Sequence, residues 1–500
     1  MFLYHTYLKK KIEFTPLQPG KAGIYNCGPT VYSLPTIGNL RAFVFDDILR
    51  RSFEYLGYQV TQVMNITDVG HLTQTEAKKE LVRITGGDLD ITDDEEGLDR
   101  MEKSAQAEAI SVWDVAEKYI QSIFGTGWSD PKRVKLGSDG DLGRLNIKKP
   151  TVICRATDRI KEQLELIKKL EEKGFTYTTS QAVYFDITKF PKYEQLTGQI
   201  LSDRQVGERA NTSDPDRRHP ADFRLWQLNQ PNHTMQWDSP WGRGFPGWHI
   251  ECSAMSTHYL GQPFDIHTGG EDHIKVHHVN EIAQSECAFG RPMANYWMHN
   301  AFLLVDGRRM GKSLGNMYTL ADLAEKGFEP LDLRYFFLTA SYRAKQNFTW
   351  EALRSARDAR LRLAGLVSLW GNNNETLDLK QESKVEEYQN QFKQAIEDDI
   401  NTPQALAVVW LVARDEQFSQ TEKKTLLLDF DQVLGLDLGS EQLLSRPTDI
   451  PQEVLDLAAE RNKARERNDW VLSDQIRLQI ERLGFAVKDT QRGSEVVKKA

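Results

Sequence analysis

The first 70 residues place apolar side chains at two different spacings. A short apolar run, GIYNC at 23–27, predicts a β-strand that ends in a glycine-proline turn. Residues 37–57 carry apolar side chains at helical spacing and finish on Gly57, and QVTQVMNIT at 59–67 predicts a second strand. Strand, helix and strand in this order predict a parallel pair, and therefore the first half of a doubly wound sheet.

A second α/β half follows further along the chain. PFDIHTGGED at 263–272 predicts a strand that enters a glycine turn, residues 276–290 predict a helix, and NYWMHNAFLLVDG at 295–307 predicts one further strand. Between the two halves, residues 181–246 are polar and rich in turn formers. From about residue 317 the pattern is helical, and the C-terminal end carries a helix pair and a short strand, FAVKD. We therefore expect an α/β protein with further helical regions.

The composition narrows the class of protein. Of the 500 residues, 27% are charged and 40% are hydrophobic, and the chain has no run of about 18 apolar residues, so we expect no membrane span. Four cysteines in a chain of this length do not make a disulfide scaffold, and we expect the protein to be located in the reducing cytoplasm. The net charge of −9 argues against a protein that binds nucleic acid non-specifically over its whole surface, but it permits a locally basic face.

Two of the cysteines lie at predicted turns. Cys27 ends the first strand, where open α/β sheets build their sites, and Cys252 follows a glycine-rich turn in GWHIECSAM. In HHVNE, His277 and Glu281 are four residues apart and share a helix face, whereas His278 projects about 100° away. Two thiolates, an imidazole and a carboxylate suit zinc. From the residues alone, core cysteines and a surface His–Glu hydrogen bond are the favoured interpretation, and zinc is the alternative.

Two turns are candidates for binding a nucleotide. Gly38 and Asn39 lie in the first turn of the predicted helix, whose free N–H groups and dipole attract phosphate. Gly269 and Gly270 would let a ligand approach the backbone, with Asp272 placed to reach a ribose hydroxyl. Two-glycine turns occur in loops of every function, so this signal is weak when it is taken by itself.

The segment GRRMGKSLGN combines cations with glycines after the last strand. Arg309, Lys312 and Ser313 lie in this loop, and its glycines give it mobility. Such a loop could close over a pyrophosphate leaving group. The alternative is a solvated basic turn.

Taken together, these segments resemble one family. CGPTVY…TIGN, NITDV, GWHIECSAM, FDIHTGGED…HHVNEIAQSE, NYWMHNAFLLVDGRRMGKSLGN and RYFFLTASYR follow the motif order of the cysteinyl-tRNA synthetases, class I aminoacyl-tRNA synthetases with HIGH and KMSKS signatures. The resemblance covers nearly the whole chain. GWHIECSAM with the HH-x-x-E helix is specific to the cysteine enzymes and their close relatives, whereas HIGH and KMSKS alone indicate only the class.

The resemblance implies ATP-dependent activation of L-cysteine to cysteinyl-adenylate and transfer to the 3′ end of tRNA(Cys), by an enzyme that we expect to be a monomer. It implies one zinc ion that selects the cysteine thiolate over a serine hydroxyl, held by Cys27, Cys252, His277 and Glu281. It places Thr67 and Trp248 in the cysteine pocket. The residues implied to bind ATP, used with Mg²⁺, are Gly38, Asn39, Gly269, Gly270, Asp272 and Lys312. Those implied in catalysis are Lys312, Arg309, Thr36 and Asn39.

Two signatures depart from the family pattern. HIGH is replaced by Thr36-Ile37-Gly38-Asn39, and neither Thr36 nor Asn39 can carry a positive charge, although both can donate hydrogen bonds. We expect activity to survive, because the glycine and the helix terminus are intact. KMSKS is replaced by Arg309-Met310-Gly311-Lys312-Ser313, which keeps the second lysine. The acidic stretch at 86–99 and the segment with His71 also differ from the commonest sequence pattern of the family, and we assign no function to either.

The resemblance also implies a Rossmann-like, doubly wound, parallel-sheet catalytic domain with an inserted connective domain, a helical bundle and a small mixed α/β domain. We expect the first catalytic half, with the zinc and ATP site, at 1–120, the inserted connective, acceptor-end region at 121–235 and the second catalytic half at 236–316. The stem-contact region with the anticodon-binding helical bundle is expected at 317–440, and a small tRNA-binding domain at 441–500. In the last of these, Arg465, Arg467 and Trp470 combine cations with an aromatic ring and are candidates for tRNA contact.

Two other functions remain open on the sequence. Ligases that join cysteine to an amino sugar share the catalytic half but lack the full anticodon-binding end. The long helical and basic extension after the 309–313 loop favours the tRNA enzyme. A non-catalytic RNA-binding relative is supported only by the absent HIGH histidines, and Lys312 and the complete zinc set weigh against it.

Overall fold

The computed structural model describes most of the chain as two compact units, Met1–Leu438 and Gly439–Ala500. The residues that it describes are 1–70, 100–126, 139–197, 214–219, 221–231, 233–311, 314–370, 382–440, 452–467, 469–490 and 493–498. The acidic stretch at 86–99, His71, Lys312 and Ser313 lie outside these ranges.

The first unit opens with an antiparallel ribbon of two strands, and a strand–helix–strand segment follows. These elements are β1 (Phe2–His5), β2 (Lys10–Glu13), β3 (Lys21–Asn26), α1 (Ile37–Tyr55) and β4 (Gln59–Ile66). The helix predicted to finish on Gly57 ends at Tyr55, and Gly57 takes a left-handed φ of 89° just beyond it. The predicted parallel pairing of the two flanking strands is confirmed.

Helices then lead to β5, an edge strand of the central sheet, and the inserted region follows it. The elements are α2 (Arg100–Glu108), α3 (Val112–Phe124), α4 (Asp141–Arg144), β5 (Val152–Arg155), α5 (Ile160–Glu172), β6 (Thr176–Thr178), β7 (Ala182–Phe185), α6 (Lys192–Thr197), β8 (Phe223–Leu228) and β9 (Gly244–Pro246). Strands β6 to β9 pair antiparallel in sequential order. They form a small sheet separate from the central one.

The second α/β half completes the central sheet. Its elements are α7 (Trp248–Leu260), β10 (Phe264–Gly270), α8 (His277–Phe289), β11 (Ala294–Asn300), β12 (Leu303–Val305), β13 (Arg308–Arg309), α9 (Leu320–Glu325), α10 (Pro330–Leu338) and β14 (Gln346–Phe348). The central sheet has the order β11-β10-β3-β4-β5 and is parallel throughout. The chain leaves β3 towards β4 and leaves β10 towards β11, in opposite directions, so a crevice forms at the carboxyl ends of β3 and β10.

The prediction of a single strand over 295–307 is wrong. β11 belongs to the central sheet, whereas β12 pairs with β13 and β14 in a separate three-stranded sheet. Between them, Arg41 of α1 donates hydrogen bonds to the carbonyl oxygens of Ala301 and Phe302, at 2.7 and 3.2 Å. Because these two carbonyl oxygens accept from a side chain instead of a strand, the extended segment is interrupted there.

The rest of the first unit is helical, as the apolar spacing predicts. Its helices are α11 (Trp350–Leu369), α12 (Glu382–Glu397), α13 (Thr402–Arg414) and α14 (Gln420–Leu434). A buried ion pair joins this region to α1, because Arg334 Nη2 of α10 lies 2.5 Å from Asp47 Oδ2, and Arg334 Nε donates to the Leu434 carbonyl oxygen at 2.7 Å. The helix that starts at the crevice is thereby fixed to the end of the helical region.

The second unit contains α15 (Gln452–Glu466), α16 (Trp470–Arg482), β15 (Phe485–Thr490) and β16 (Gly493–Lys498). The two helices pack on a small apolar core that includes Val454, Ile476, Ile480 and Phe485. The predicted helix pair and strand are present. The antiparallel partner strand β16 was not predicted, because GSEVVK holds only two apolar residues. Among the described residues of both units, no helix is long and apolar enough to cross a membrane.

Candidate active site and metal centre

Four buried donor groups meet where β3 and β10 end. Cys27 follows β3, Cys252 lies on α7, and His277 and Glu281 lie on the first turns of α8. One ligand atom from each of them lies within 4.8 Å of every other, and all four residues are buried. His277 Nε2 is 3.0 Å from Glu281 Oε1, as their spacing on one helix face predicts. The structure thus brings together the complete set that the sequence assigned to a metal.

His278 lies closer to this cluster than the helical wheel predicts. Its Nε2 is 3.3 Å from Cys27 Sγ, and its Nδ1 is 2.7 Å from His299 Nε2. A second group of potential ligands therefore exists, formed by Cys27, His267, His278 and Glu281. His278 does leave the α8 face of His277, but Cys27 belongs to both groups, one with His277 and the other with His278.

The charges of the cluster are strongly coupled. Burial alone would lower the pKa of His277, but the Glu281 carboxylate and the Cys252 thiol outweigh it and raise the pKa to about 10. Burial likewise opposes ionisation of Glu281, yet His277 and His267 hold its pKa well below the usual range. A hydrogen bond from Cys27 lowers the pKa of Cys252 to about 7 against the effect of burial. An anionic sulfur and carboxylate, buried beside imidazole, form a donor set that fits a zinc ion.

Neighbouring aromatic groups hold the cluster in place. Trp248 stacks on His277 with ring centroids 4.1 Å apart and an interplanar angle of 19°. His249 Nδ1 lies 2.9 Å from His277 Nδ1, and His267 Nε2 lies 2.9 Å from Glu281 Oε2. Such outer partners orient metal ligands. His249 and His267 were missed from the sequence, although each stands inside a motif already singled out, GWHIECSAM and FDIHTGGED.

A cavity of about 520 Å³ opens beside the cluster at the crevice. The predicted residues that line it are Cys27, Thr36, Gly38, Asn39, Thr67, Trp248, Cys252, Gly270, Asp272, His277 and Arg309. Tyr32 and Arg100 also line it, and Arg100 Nη1 donates to the Tyr32 hydroxyl at 2.7 Å, a contact with no sequence signal. One wall therefore holds the metal-ligand set and another the start of α1.

The amino end of α1 is closed by its own side chains. Thr36 is the N-cap residue, and its hydroxyl accepts a hydrogen bond from the Asn39 backbone N–H. Asn39 Oδ1 in return accepts from the Thr36 backbone N–H at 3.0 Å, which completes a capping box. The carboxamide nitrogen of Asn39 makes no hydrogen bond with a described residue. Thr36 and Asn39 therefore stabilise the start of α1.

The two glycines after β10 have different surroundings. Gly270 and Asp272, two of the residues predicted to bind ATP, line the cavity. Gly269 instead faces two imidazoles, and a Cβ there would lie 2.7 Å from His273 Nδ1 and 2.7 Å from His278 Cε1. The missing side chain at Gly269 therefore makes room for histidine rings.

The chain is similar to known families and to named proteins. The family described as tRNA synthetases class I (C) catalytic domain matches residues 13–358, and the DALR domain family matches residues 391–438. A protein of Treponema denticola named cysteine–tRNA ligase is 40% identical, with 99% of each chain covered. One of Burkholderia lata, cysteine–tRNA ligase 1, is 41% identical over 99% of this chain and 96% of its own.

This chain belongs to the cysteine–tRNA ligase family. A further member, from Thermus thermophilus, is 37% identical and covers 99% of this chain and 98% of its own. Solved class I structures share the fold. Methionyl-tRNA synthetase of Mycobacterium tuberculosis in complex with methionyl-adenylate aligns with a TM-score of 0.52 at 14% identity, over 88% of this chain and 94% of its own. The LeuRS–tRNA–LeuAMS complex of Agrobacterium radiobacter gives 0.54 at 12% identity, over 87% and 86%.

The loop that corresponds to the KMSKS signature of this family approaches the start of α1. Arg309 belongs to β13, forms no ion pair with a described residue, and lies over the Phe302 ring at 5.5 Å. A Cβ at Gly38 would lie 3.1 Å from Met310 Sδ, so the loop contacts the first turn of α1. Asn316 holds its backbone, accepting from the Gly311 N–H at 2.9 Å. Lys312 and Ser313 lie outside the described residues.

The remaining predicted residues lie in two places. The Thr67 hydroxyl donates to Glu251 Oε2 at 3.2 Å and sits on the cavity wall. In the second unit, Arg465 lies over the Trp470 ring at 5.5 Å, and Trp470 is 55% exposed. Arg467 is exposed near the end of α15. An exposed ring stacked on a guanidinium presents a surface on which an unpaired base can stack.

Proposed function

We propose that this chain activates L-cysteine with ATP and transfers it to the 3′ end of tRNA(Cys). The observation that carries the proposal is the cavity at the switch point of the sheet, in which one wall bears a thiol-rich metal-ligand set and another bears a helix amino terminus. The first suits the side chain of cysteine, and the second suits the phosphates of ATP.

The reaction proceeds in two steps. In the first, a carboxylate oxygen of cysteine forms a bond to the α-phosphorus of ATP, and the bond from that phosphorus to the bridging oxygen breaks, so that pyrophosphate leaves with its electron pair. In the second, a ribose hydroxyl at the 3′ end of the tRNA forms an ester with the cysteinyl carbonyl carbon, loses its proton, and AMP leaves. Positioning and charge neutralisation supply the catalysis.

The cysteine subsite is formed by Trp248, Thr67 and the cluster. Trp248 stacks on His277, and both Trp248 and Thr67 line the cavity. In this proposal Thr67 would contact the backbone atoms of the bound cysteine. A zinc ion held by Cys27, Cys252, His277 and Glu281 would supply a coordination position that accepts a thiolate and discriminates against a serine hydroxyl. The chain's own contribution is to keep those four donors buried and together.

The nucleotide subsite follows the crevice from α1 to the turn after β10. The first-turn N–H groups of α1 and the Asn39 carboxamide bind phosphate, with Mg²⁺ accompanying the ATP. The Asp272 carboxylate accepts a hydrogen bond from a ribose hydroxyl, and the Gly270 backbone, which lines the cavity, admits the ribose. Gly269, which the resemblance also implied for ATP, faces histidine rings instead. Arg309 neutralises the pyrophosphate, and we assign the same role to Lys312 from the sequence alone.

We further propose that the second unit and the DALR-type helices bind the tRNA, with Arg465, Arg467 and Trp470 among the contacts. The ligand set lies within one chain and needs no residue from a second copy, and we propose a monomer. The four cysteines are free and buried, which is consistent with a reducing cytoplasm.

The deciding experiment is cysteine-dependent exchange of pyrophosphate into ATP, followed by charging of tRNA(Cys). We expect both activities, with serine failing to replace cysteine. Absence of exchange would refute the proposal. Exchange without charging would instead favour the ligases that join cysteine to an amino sugar, and the matched DALR domain argues against that outcome.

A further inference from the structure

His273 is a cavity residue that the two-subsite description leaves without a task. It lies in the turn between β10 and α8, lines the cavity, and its side chain is 19% exposed. The Trp248 ring meets it edge-on at 5.7 Å, and the His277 ring lies 5.1 Å away. The imidazole is therefore held by packing on two sides, while one edge is open to the cavity.

The two ring nitrogens of His273 have unequal surroundings. Nδ1 is buried against Gly269 and has no hydrogen-bond partner among the described residues. Nε2 lies 3.9 Å from Asp272 Oδ2, too far for a hydrogen bond, and makes none with a described residue. A buried N–H without an acceptor is rarer than a buried acceptor without a donor. The proton of the neutral ring therefore belongs on Nε2, where it is available to a ligand.

The neighbours of His273 define which part of the ligand it meets. The His273 ring lies 5.7 Å from that of Trp248, in the proposed cysteine subsite, and its Nε2 lies 3.9 Å from Asp272 Oδ2, in the proposed ribose subsite, so His273 adjoins both. In an aminoacyl-adenylate, the group between the amino acid and the ribose is the α-phosphate. We propose that His273 is a catalytic residue whose Nε2–H donates a hydrogen bond to a non-bridging oxygen of the α-phosphate during activation. This inference rests on the proposed function.

Such a donor has a clear use at this site. The Thr36 hydroxyl is engaged with Asn39 Oδ1, which leaves the Asn39 carboxamide nitrogen as the donor of this pair, and neither side chain carries a charge. Negative charge grows on the non-bridging oxygens as the cysteine carboxylate attacks, and a fixed neutral donor stabilises it without moving. The proton stays on His273 throughout, so no co-reactant is needed.

The test compares His273→Phe with His273→Gln, which keeps an N–H donor. His258→Phe is the matched control, because His258 lies on α7, is exposed and does not line the cavity. We expect His273→Phe to lower kcat of pyrophosphate exchange about 10²-fold, the effect of losing one preorganised donor. The KM for cysteine and the metal content should stay within about threefold of the parent. His273→Gln should recover part of the loss, and His258→Phe should match the parent.

A stereochemical readout separates direct contact from support of the fold. With ATP bearing sulfur at one non-bridging α-oxygen, one diastereomer should react more slowly in the parent, and this preference should shrink in His273→Phe because the donor is gone. An unchanged preference, an unchanged kcat, or loss of metal and cysteine binding in His273→Phe would each overturn the assignment. If the parent enzyme itself showed no pyrophosphate exchange, both the proposed function and the role of His273 would be refuted. If the parent were active and His273→Phe were equally active, only the role of His273 would be refuted.

Discussion

Asn39 Oδ1 accepts hydrogen bonds from both the backbone N–H and the hydroxyl of Thr36, at 3.0 and 2.8 Å. The two residues that stand in place of the HIGH histidines therefore form a closed local unit at the start of α1. One residue pair serves the stability of the helix and the shape of the proposed phosphate subsite together.

Thr36→Ala should weaken both properties. We expect the free energy of unfolding to fall by about 1 kcal/mol, because the cap is lost. The KM for ATP should rise about 3- to 10-fold, because Asn39 loses its anchor and one neutral hydrogen bond is at stake. Denaturant unfolding and exchange kinetics measure the two effects. Ser419→Ala is the control, since Ser419 and Glu422 form an equivalent capping box on α14. It should reproduce the stability loss alone, and an equal change of KM there would contradict the prediction.

Cys252→Ala should remove the metal and cysteine binding together. The purified parent should hold about one zinc per chain, and this variant should hold almost none, because two thiolates supply the soft ligands of the set. Elemental analysis and equilibrium binding of cysteine measure the outcome. Cys287→Ala, at another buried free thiol outside the cluster, should retain the metal. A metal-free Cys252→Ala protein that binds cysteine normally would contradict the assignment.

Substitutions at the two adjacent histidines should distinguish the overlapping ligand sets. If His277 is the ligand and His278 an outer partner of Cys27, His277→Ala abolishes metal binding, whereas His278→Ala weakens it about 10–100-fold. We expect this order. Competition with a chelator of known affinity provides the measurement. The reverse order would place the ion between Cys27, His267, His278 and Glu281 instead.

Asp47→Asn should destabilise the first unit by about 3–5 kcal/mol, because it leaves the fully buried Arg334 guanidinium without its counter-charge. Burial alone would raise the pKa of Asp47, but Arg334 and Arg51 outweigh it and lower the pKa. Because the pKa of Asp47 is lower in the folded protein than in the unfolded chain, where it is about 3.9, its ionisation stabilises the fold above about pH 3.9. This stabilisation is lost as the pH falls below that value towards the folded pKa. Unfolding of the parent should therefore show an acid dependence that Asp47→Asn reduces.

Asp398→Asn provides the contrast for that measurement. Asp398 pairs with Lys11 at the surface, where the two side chains are 54% and 39% exposed. The loss there should stay below about 1 kcal/mol, since water screens the pair. Equal losses in the two variants would show that burial does not decide the contribution of these ion pairs.

The sequence by itself determined the strand–helix–strand order of the two α/β halves, the helical region after them, the four donor types and the family. These properties depend on local apolar spacing and on short motifs, so they can be predicted from the sequence without the tertiary structure. It misjudged the strand over 295–307, because Arg41, some 260 residues earlier, takes the carbonyl groups at the break. It placed His278 away from the cluster, because the helical wheel of α8 contains no information about where β3 ends.

Only the tertiary structure decided which distant groups meet. Cys27 and His278 are 251 positions apart, and β3 must lie beside β10 for them to touch. The position of the His273 ring beside Trp248 depends on Gly269, because a Cβ there would lie 2.7 Å from His273 Nδ1. The sequence does not show this close approach. Apolar periodicity specifies each element, whereas the geometry of a site depends on how the sheet orders its strands, and that order is a property of the whole fold.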